Sequence, residues 1–410
     1  MLDVKEALAL ILQIVAERER RILEVALDDA YGFVLAEDVF STLSLPPCDN
    51  SAVDGYAVHS GDVEDASVAT PVSLTISAVS SAGGAKPGPV PPCCAVRILT
   101  GAPLPVGADC VVMQEDTQVG PGNTLLVFTK SEPGQHVRFA GTDLIPGVQI
   151  VQRGESIGAA EAAVLAATGT RNVRVYAPPR VAIVTTGDEI VDLDAPDLPD
   201  YGCIFDSNRY ALTALLKQTG ADICLVRHVP DDFEATCSIL SDIAKLGVDL
   251  IVCAGGVSVG DRDFVRPAVE RLGKLHLWRV AMKPGKPVAF GAIGDSYFFG
   301  LPGNPASVMV TFELFVRPAV LHLMGHARLM RTVVCAVLID AIEHQPGRME
   351  FVRARASWSN GRIEVTTTGA QGSGRLKSLL GSNALIIVPA ERADVSIGET
   401  VEVMITGQMD

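Results

Sequence analysis

The chain is 410 residues long, with 48% hydrophobic, 20% charged and 5% aromatic residues; at about 150 residues per domain this ordinary globular composition calls for more than one core. Thirty-three basic and 48 acidic residues leave a net charge of −15, a field that repels nucleic-acid phosphates and anionic membrane surfaces. General nucleic-acid or membrane binding is therefore disfavoured, and an anionic ligand must be met by a local basic cluster. The last eighty residues, with 8 basic and 9 acidic, are much less negative than the rest.

The first residues repeat apolar side chains at Val4, Leu8, Ile11, Leu12 and Val15, with Asp3 and Glu6 ahead of them. This is one face of a helix rather than a basic export signal, and it points to a cytoplasmic protein. Short β-branched runs follow at Pro71 to Thr75, Val96 to Leu99, Cys110 to Gln114 and Leu125 to Phe128, inside a stretch rich in Gly and Pro. The helix at 1–19 and the segment Ser156 to Thr168 flank this β region as a connecting element. From Val181 onward strands and helices alternate. Strands are expected at Val181 to Thr185, Ile223 to Arg227, Asp249 to Ala254, Leu275 to Val280 and Tyr297 to Gly300, with helices at Arg209 to Gln218, Phe233 to Leu246, Phe264 to Arg271 and after Asn304. Such alternation implies a doubly wound parallel sheet whose ligand lies beyond the carboxyl ends of its strands. A long uncharged stretch, Ser296 to Phe312, is broken by Pro302, Gly303 and Pro305, which argues against a membrane span. Residues 332–409 return to short β-branched runs separated by Gly and Asn turns, a small all-β domain.

Nine cysteines form no C-x-x-C pair, and most lie in apolar runs such as Leu250 to Ala254, so they read as reduced, buried thiols. His322 and His326 are four apart, but HLMGH lacks the glutamate of a zincin. Leu45 to Val58, LPPCDNSAVDGYAV, is a polar loop entered through two prolines; Val53 stands where a calcium loop needs Asp or Asn. Asp49 and Asn50 suit turns that hold such a loop in shape, and Asp54 is its candidate functional acid.

Leu250 to Phe264, LIVCAGGVSVGDRDF, is a buried strand, a glycine turn and a helix start. Gly255, Gly256 and Gly260 let backbone amides approach an anion closely. Asp261 and Arg262 replace the Lys and Ser/Thr of a Walker A loop, so a P-loop NTPase is excluded. Asp261 and Asp263 beside a phosphate cradle suit Mg²⁺, which prefers oxygen ligands, although acids at a helix start also complement its dipole. Arg279 to Pro287, RVAMKPGKP, aims Lys283 and Lys286 from one turn, a basic cluster fit for an oxyanion. In GLPGNPAS, Asn304 can cap the helix that Pro305 begins. TTGDEI places Asp188 and Glu189 at a strand end, and with Asp231 these acids can face one ion or position a water. GRMEFVR and QGS offer Arg348, Arg353 and the Ser373 hydroxyl from the last domain.

Taken in order, PPCDNSAVDGYAV, RILTGAPLPVGADCVV, TTGDEI, the DSN at 206–208, AGGVSVGDRDF, KPGKP, GLPGNP and QGS resemble the molybdopterin molybdenumtransferase family, to which the C-terminal domain of gephyrin belongs. The resemblance runs from about residue 4 to 405. It implies an elongated homodimer whose subunit has a linking region (1–44 and 140–176), a small β-rich domain (45–139), a doubly wound α/β domain (177–328) and a C-terminal β barrel (329–410). The implied activity is insertion of molybdenum from molybdate into adenylylated molybdopterin, with Mg²⁺ and release of AMP. Matched position by position, Asp54, Asp143 in AGTDLIPG, Glu189, Asp231 and Asp263 correspond to the family's acidic set, with Glu189 and Asp263 at Mg²⁺. Lys283, Arg348 and Ser373 correspond to its oxyanion set. The cradle of Gly255, Gly256, Ser258 and Gly260, together with Lys286, Pro302 and Asn304, completes the expected ligand contacts. Asp54 is expected to reach the crevice from the partner subunit.

Three departures stand out. Arg279 occupies a position where the family often has a lysine; it keeps the charge but cannot act as a neutral amine. Pro91 to Cys94 replaces a stretch that usually has a glycine, and Cys48 replaces a larger apolar residue. Two other readings compete. A molybdopterin adenylyltransferase shares the glycine turn but is essentially one domain, whereas this chain carries three further regions; such an enzyme is also a candidate partner. A non-catalytic scaffold would not need the acidic and basic sets retained here.

Overall fold

The computed structural model describes residues 1–195, 200–258, 263–359 and 361–409. Helix α1 (Val4–Ala16) begins with a capping box in which the Asp3 carboxylate accepts from the Glu6 amide at 2.8 Å and the Asp3 amide donates to the Glu6 carboxylate at 3.0 Å. Its buried face, Val4, Ala7, Ile11 and Val15, packs into the core of the central α/β domain. The sequence suggested a connecting element instead, because periodicity identifies an apolar face without identifying what covers it.

The linking region has its own small core. Strand Ile22–Ala26 pairs antiparallel with Asn172–Tyr176, and helix α2 (Ala159–Ala167) covers this ribbon through Leu165, with Leu35, Val173 and Val175. The upstream β domain is a six-stranded sheet with Gly55–Val58 between Cys110–Met113 and Cys94–Ile98, extended by Val72–Ser80, Thr124–Val127 and Thr117–Val119.

The central sheet contains β1 (Arg180–Thr186), β2 (Asp222–Val229), β3 (Leu250–Ala254), β4 (Lys274–Trp278), β5 (Ala289–Ile293) and β6 (Ser296–Leu301), in the order 2-1-3-6-5-4. β1, β2, β3 and β6 are parallel, as the alternation predicted. β5 joins β6 and β4 antiparallel; this strand and its reversed direction were not anticipated, because the glycines and prolines around it read as loop. All five residues of β3 are buried. Leu250, Val252 and Ala254 face one core while Ile251 and Cys253 face the other, which explains a continuous apolar run in place of alternation. Helices α3 (Ser207–Thr219), α4 (Phe233–Lys245) and α5 (Val265–Leu272) cover the sheet, α3 on one face and the other two on the opposite one.

Beyond β6, helix α6 (Pro305–Thr311) continues through a π-helical turn, Phe312–Val316, into α7 (Arg317–Leu323). This run is long and apolar enough to cross a membrane, but 83% of its apolar window is buried inside the protein, so its apolarity is that of a core helix. The last domain closes a five-stranded barrel, Met349–Ser359, Arg362–Thr367, Val333–Leu338, Thr400–Ile405 and Ala384–Val388, the last returning to the first. Residues Met282 and Lys283 of the central domain add a short parallel strand to it, pairing with Met349 and Glu350.

Candidate functional site

A crevice of about 760 Å³ opens at the carboxyl ends of β1, β3 and β6, where the strand order reverses between β1 and β3 and such sheets admit ligands. Four walls meet there. The first is the turn after β1, with Thr186 and Glu189. Its neighbour Asp188 exchanges hydrogen bonds with the loop after β2: the Asp231 amide donates to the Asp188 carboxylate at 3.0 Å, and the Asp188 amide to the Asp231 carboxylate at 3.4 Å. This exchange holds the Asp231 side chain at the crevice beside Glu189.

The second wall is the glycine turn after β3, where Gly255 and Gly256 line the crevice with Asp263. Both glycines are required. Gly255 has φ +102°, and a Cβ there would lie 2.6 Å from the Thr186 hydroxyl oxygen and 2.9 Å from the Thr186 carbonyl oxygen; at Gly256, φ +65°, it would lie 2.6 Å from a Val265 methyl. Ser258 is exposed and does not line the crevice. Gly260 and Asp261 lie outside the described residues.

The third wall is the start of α3. Asp206 caps this helix by accepting from the Arg209 amide at 2.9 Å, and its other oxygen accepts from the Thr185 hydroxyl at 2.6 Å. Asn208 donates to the Gly303 carbonyl at 2.7 Å, while its buried carbonyl oxygen has no partner among the described residues. An unpaired buried acceptor in a ligand-sized crevice is a position for a ligand N–H.

The fourth wall joins two domains. Asn304 stands at the N-cap of α6 and Pro305 at its first position, but the Asn304 side chain caps nothing. Its amide nitrogen donates instead to the Ser373 hydroxyl at 3.1 Å, and the Ser373 carbonyl receives the Ala306 amide at 3.2 Å. The barrel loop thus does the capping expected of Asn304, and places Gly374 and Leu376 in the crevice. Pro302 is buried behind this wall.

Arg353 explains why that loop holds its shape. It is 1% exposed, donates through Nε to the Ser378 hydroxyl at 2.9 Å and through Nη2 to the Gly372 carbonyl at 3.2 Å, while the Gln371 amide brackets its backbone. Burial lowers its guanidinium pKa. It supports the QGS loop from within, whereas Arg348 is exposed.

The basic set forms a second locus. Lys283 is half exposed and its ammonium sits 2.9 Å from Glu350, a carboxylate only 5% exposed. The pairing of Met282–Lys283 with Met349–Glu350 therefore brings KPGKP beside GRMEFVR, with Arg348 and Lys286 both exposed there. None of these cations lines the crevice. Glu350 was not anticipated: in sequence it reads as one more surface acid, and only its register opposite Lys283 reveals it.

Asp54 and Asp143 lie apart from both loci, and no residue before Thr185 lines the crevice. Asp54 is exposed. Its carboxylate accepts from the Thr100 amide at 2.7 Å and the Thr100 hydroxyl at 2.8 Å, and the backbone donor first, then the hydroxyl, hold its pKa below the ordinary carboxylate value. Asp49 accepts from the Ala140 amide at 2.8 Å, the loop-fixing role expected of it. Asp143 is exposed, its amide tied to the Leu45 carbonyl at 2.9 Å. His322 binds Arg20 and His326 faces Ser156, so the two histidines do not form a metal pair. Burial pushes the Cys253 thiol up to about 12, the unreactive state expected of its apolar run.

Comparison with known proteins decides the family. Three family models cover the chain in succession: the MoeA N-terminal region (domain I and II) at residues 2–169, a probable molybdopterin binding domain at 182–322, and the MoeA C-terminal region (domain IV) at 336–406. The molybdopterin molybdenumtransferase of Nostoc sp. is 40% identical over 381 residues, covering 92% of this chain and 86% of its own, and that of Haemophilus influenzae is 34% identical over 379 residues, covering 92% of each. The chain belongs to the molybdopterin molybdenumtransferase family. This molybdenumtransferase is accordingly a transferase of molybdenum cofactor biosynthesis. Its fold is also that of the solved Pyrococcus horikoshii molybdopterin biosynthesis MoeA protein, with a TM-score of 0.83, 29% identity and full coverage of both chains. A Dictyostelium discoideum gephyrin is 32% identical over the whole of this chain, which spans 63% of that protein.

Proposed function

We propose that the protein inserts molybdenum from molybdate into the dithiolene of adenylylated molybdopterin, with release of AMP. The observation that carries this reading is the make-up of the crevice: a glycine turn fit for phosphate, four carboxylates on its walls (Glu189, Asp206, Asp231 and Asp263), and an Asn208 acceptor unpaired among the described residues, in a ligand-sized space at the strand-order reversal. The turn amides beyond Gly255, whose own amide donates to the Leu301 carbonyl at 3.0 Å, bind the phosphate oxygens, and Asn208 accepts from a ring amino group. Asp231 and Glu189 orient a water toward the adenylyl phosphorus. Lys283 and Arg348, on the barrel side, receive molybdate, a tetrahedral oxyanion that calls for cationic donors. Glu350 holds Lys283 in place until the anion arrives.

Among the described residues no three His, Cys, Asp or Glu side chains converge closely enough to hold a metal ion alone. Mg²⁺ needs no such cage, because it keeps several waters and binds through one or two carboxylates together with substrate phosphate. Glu189 and Asp263, both on the crevice wall, fit that mode. Bound there, the ion would supply charge neutralisation at the phosphate.

The reading also includes a homodimer in which Asp54 approaches the partner's crevice. It is supported by an exposed apolar ribbon in the linking region. Chain 40–45 runs antiparallel to 144–149 through the Phe40–Gln149 pair, the Ser41–Val148 hydrogen bond and the Leu45–Leu144 bridge. Phe40, Leu43 and Ile145 on it are each about half exposed, a patch that marks an association surface.

Asp263→Asn and Lys283→Ala, assayed separately as purified full-length protein under anaerobic conditions, test the assignment. Each is expected to lower molybdenum incorporation by at least about a hundredfold, the scale of losing a charged transition-state or binding contact. Insertion that proceeds unchanged in both variants would overturn the assignment of these residues.

A further inference from the structure

A second cavity, of about 240 Å³, lies where the central domain meets the barrel. Residues of α3 and α6 form one side of it and barrel residues the other, and Leu215, Met309, Val310, Leu379 and Leu385 make most of its wall apolar. Interdomain cavities that are largely apolar and carry a few fixed polar groups are where small ligands settle. No residue lines both this cavity and the crevice.

The buried Arg353 is part of that wall. In the rigid guanidinium fork, Nε and Nη2 share one edge and Nη1 points away from it. The shared edge is spent on the Ser378 hydroxyl and the Gly372 carbonyl, neither of which belongs to a residue lining this cavity. Nη1 is buried and has no partner among the described residues, so it is the donor left for the cavity. A charged group with a buried donor unpaired is costly, and native interiors supply a partner for nearly every such atom. Glu313, the one carboxylate on this wall, does not serve it, because its two oxygens accept from Arg331, Nε at 2.9 Å and Nη2 at 3.1 Å. Arg317 and Arg331 line an adjoining hollow that shares Leu215, Gln218, Glu313 and Thr406 with the cavity. Three arginines to one glutamate leave this junction positive in a chain of net charge −15.

We propose that this cavity is a second ligand site, one that takes a small carboxylic acid with an apolar body: the carboxylate accepts from Arg353 Nη1, and the body packs against Leu215, Met309, Val310 and Leu385. The walls decide the class. A single free donor group suits one planar monoanion, whereas a phosphate would leave most of its oxygens unpaired against aliphatic side chains. The proposal does not depend on what the crevice binds. The two cavities nevertheless meet at one guanidinium, since the loop that Arg353 holds continues into Gly374 and Leu376 on the crevice wall.

Benzoate is the probe. It is titrated into the full-length protein labelled with ¹³C at the methionine methyls, and calorimetric heat and methyl resonances are followed together. Met309 is one of nine methionines, and its signal is assigned by its loss in Met309→Leu. Benzoate is expected to bind with a Kd of about a millimolar or below and to shift the Met309 methyl with the same midpoint as the heat. Benzyl alcohol, a body of the same size without the charge, should bind about tenfold more weakly, on the scale of one charge-assisted hydrogen bond. Gln218→Trp, at an exposed position on the cavity's rim, should obstruct entry and weaken benzoate about tenfold while leaving Arg353 and its loop untouched. Arg353→Met should bind the two probes alike; should that variant not fold, the contrast between the probes in the unsubstituted protein gives the same answer. No saturable heat, heat without a shift at Met309, or equal affinity of the unsubstituted protein for benzoate and benzyl alcohol would each overturn the site.

Discussion

Gly255 shows how much a single absent atom decides. Its φ of +102° and the Thr186 oxygens at 2.6 and 2.9 Å from a would-be Cβ leave no room for a side chain, and its amide is tied to the Leu301 carbonyl at 3.0 Å, which fixes the turn against the end of β6. Gly255→Ala is expected to cost about 1–3 kcal/mol of stability through crowding and strain and to weaken AMP binding; urea unfolding and calorimetry measure the two effects. The glycine pattern made this position legible in the sequence. Glu350 was not legible, since its burial and its pairing with Lys283 depend on a register between residues 67 apart in sequence. Asn304 was legible as a helix start, but its side chain serves Ser373, because a loop from another domain competes successfully for the cap.

At the level of elements, the alternation of strands and helices in the central domain follows from continuous apolar runs punctuated by turn residues, and so does the place of the crevice. β4 was expected at Leu275 to Val280, but β5, which pairs with it antiparallel, escaped because Gly291 and Gly294 interrupt its apolar pattern. The seam between the N-terminal segment and α7 is also invisible in sequence. There Arg20 donates to the His322 carbonyl at 2.8 Å and its Nη2 lies 2.9 Å from His322 Nε2, so the imidazole is neutral and accepting. Burial first, then the Arg20 charge, lowers the His322 pKa from its ordinary 6.5. A histidine with a lowered folded-state pKa binds fewer protons folded than unfolded, so its contribution is intact above about 6.5 and is lost as pH falls from there toward the folded value. Thermal melts between pH 8 and pH 5 should therefore show a declining midpoint on the acid side. His322→Gln, which cannot be protonated, should flatten part of that decline, and an unchanged slope would refute this account of the seam.

For the whole molecule, the crevice needs more than its own domain. The barrel supplies Gly374 and Leu376, just after the QGS run, while the N-terminal regions supply no lining residue within one chain. The proposed dimer, with Asp54 at its partner's crevice, would resolve this division. Ile145→Lys, on the exposed ribbon, should shift sedimentation at micromolar concentration from dimer to monomer, and an equal mixture of Asp54→Asn and Asp263→Asn subunits should recover up to about a quarter of the unsubstituted activity by forming some intact crevices, assuming random subunit exchange. Sedimentation of the unsubstituted protein as a monomer would remove the shared site.

The most direct test of the whole account is anaerobic incubation of the purified protein with adenylylated molybdopterin, Mg²⁺ and molybdate, with AMP release and dithiolene-bound molybdenum followed together. The account predicts AMP release that depends on molybdate and keeps pace with metal incorporation. Tight binding of adenylylated molybdopterin without AMP release, under conditions where another molybdenumtransferase turns over, would contradict it.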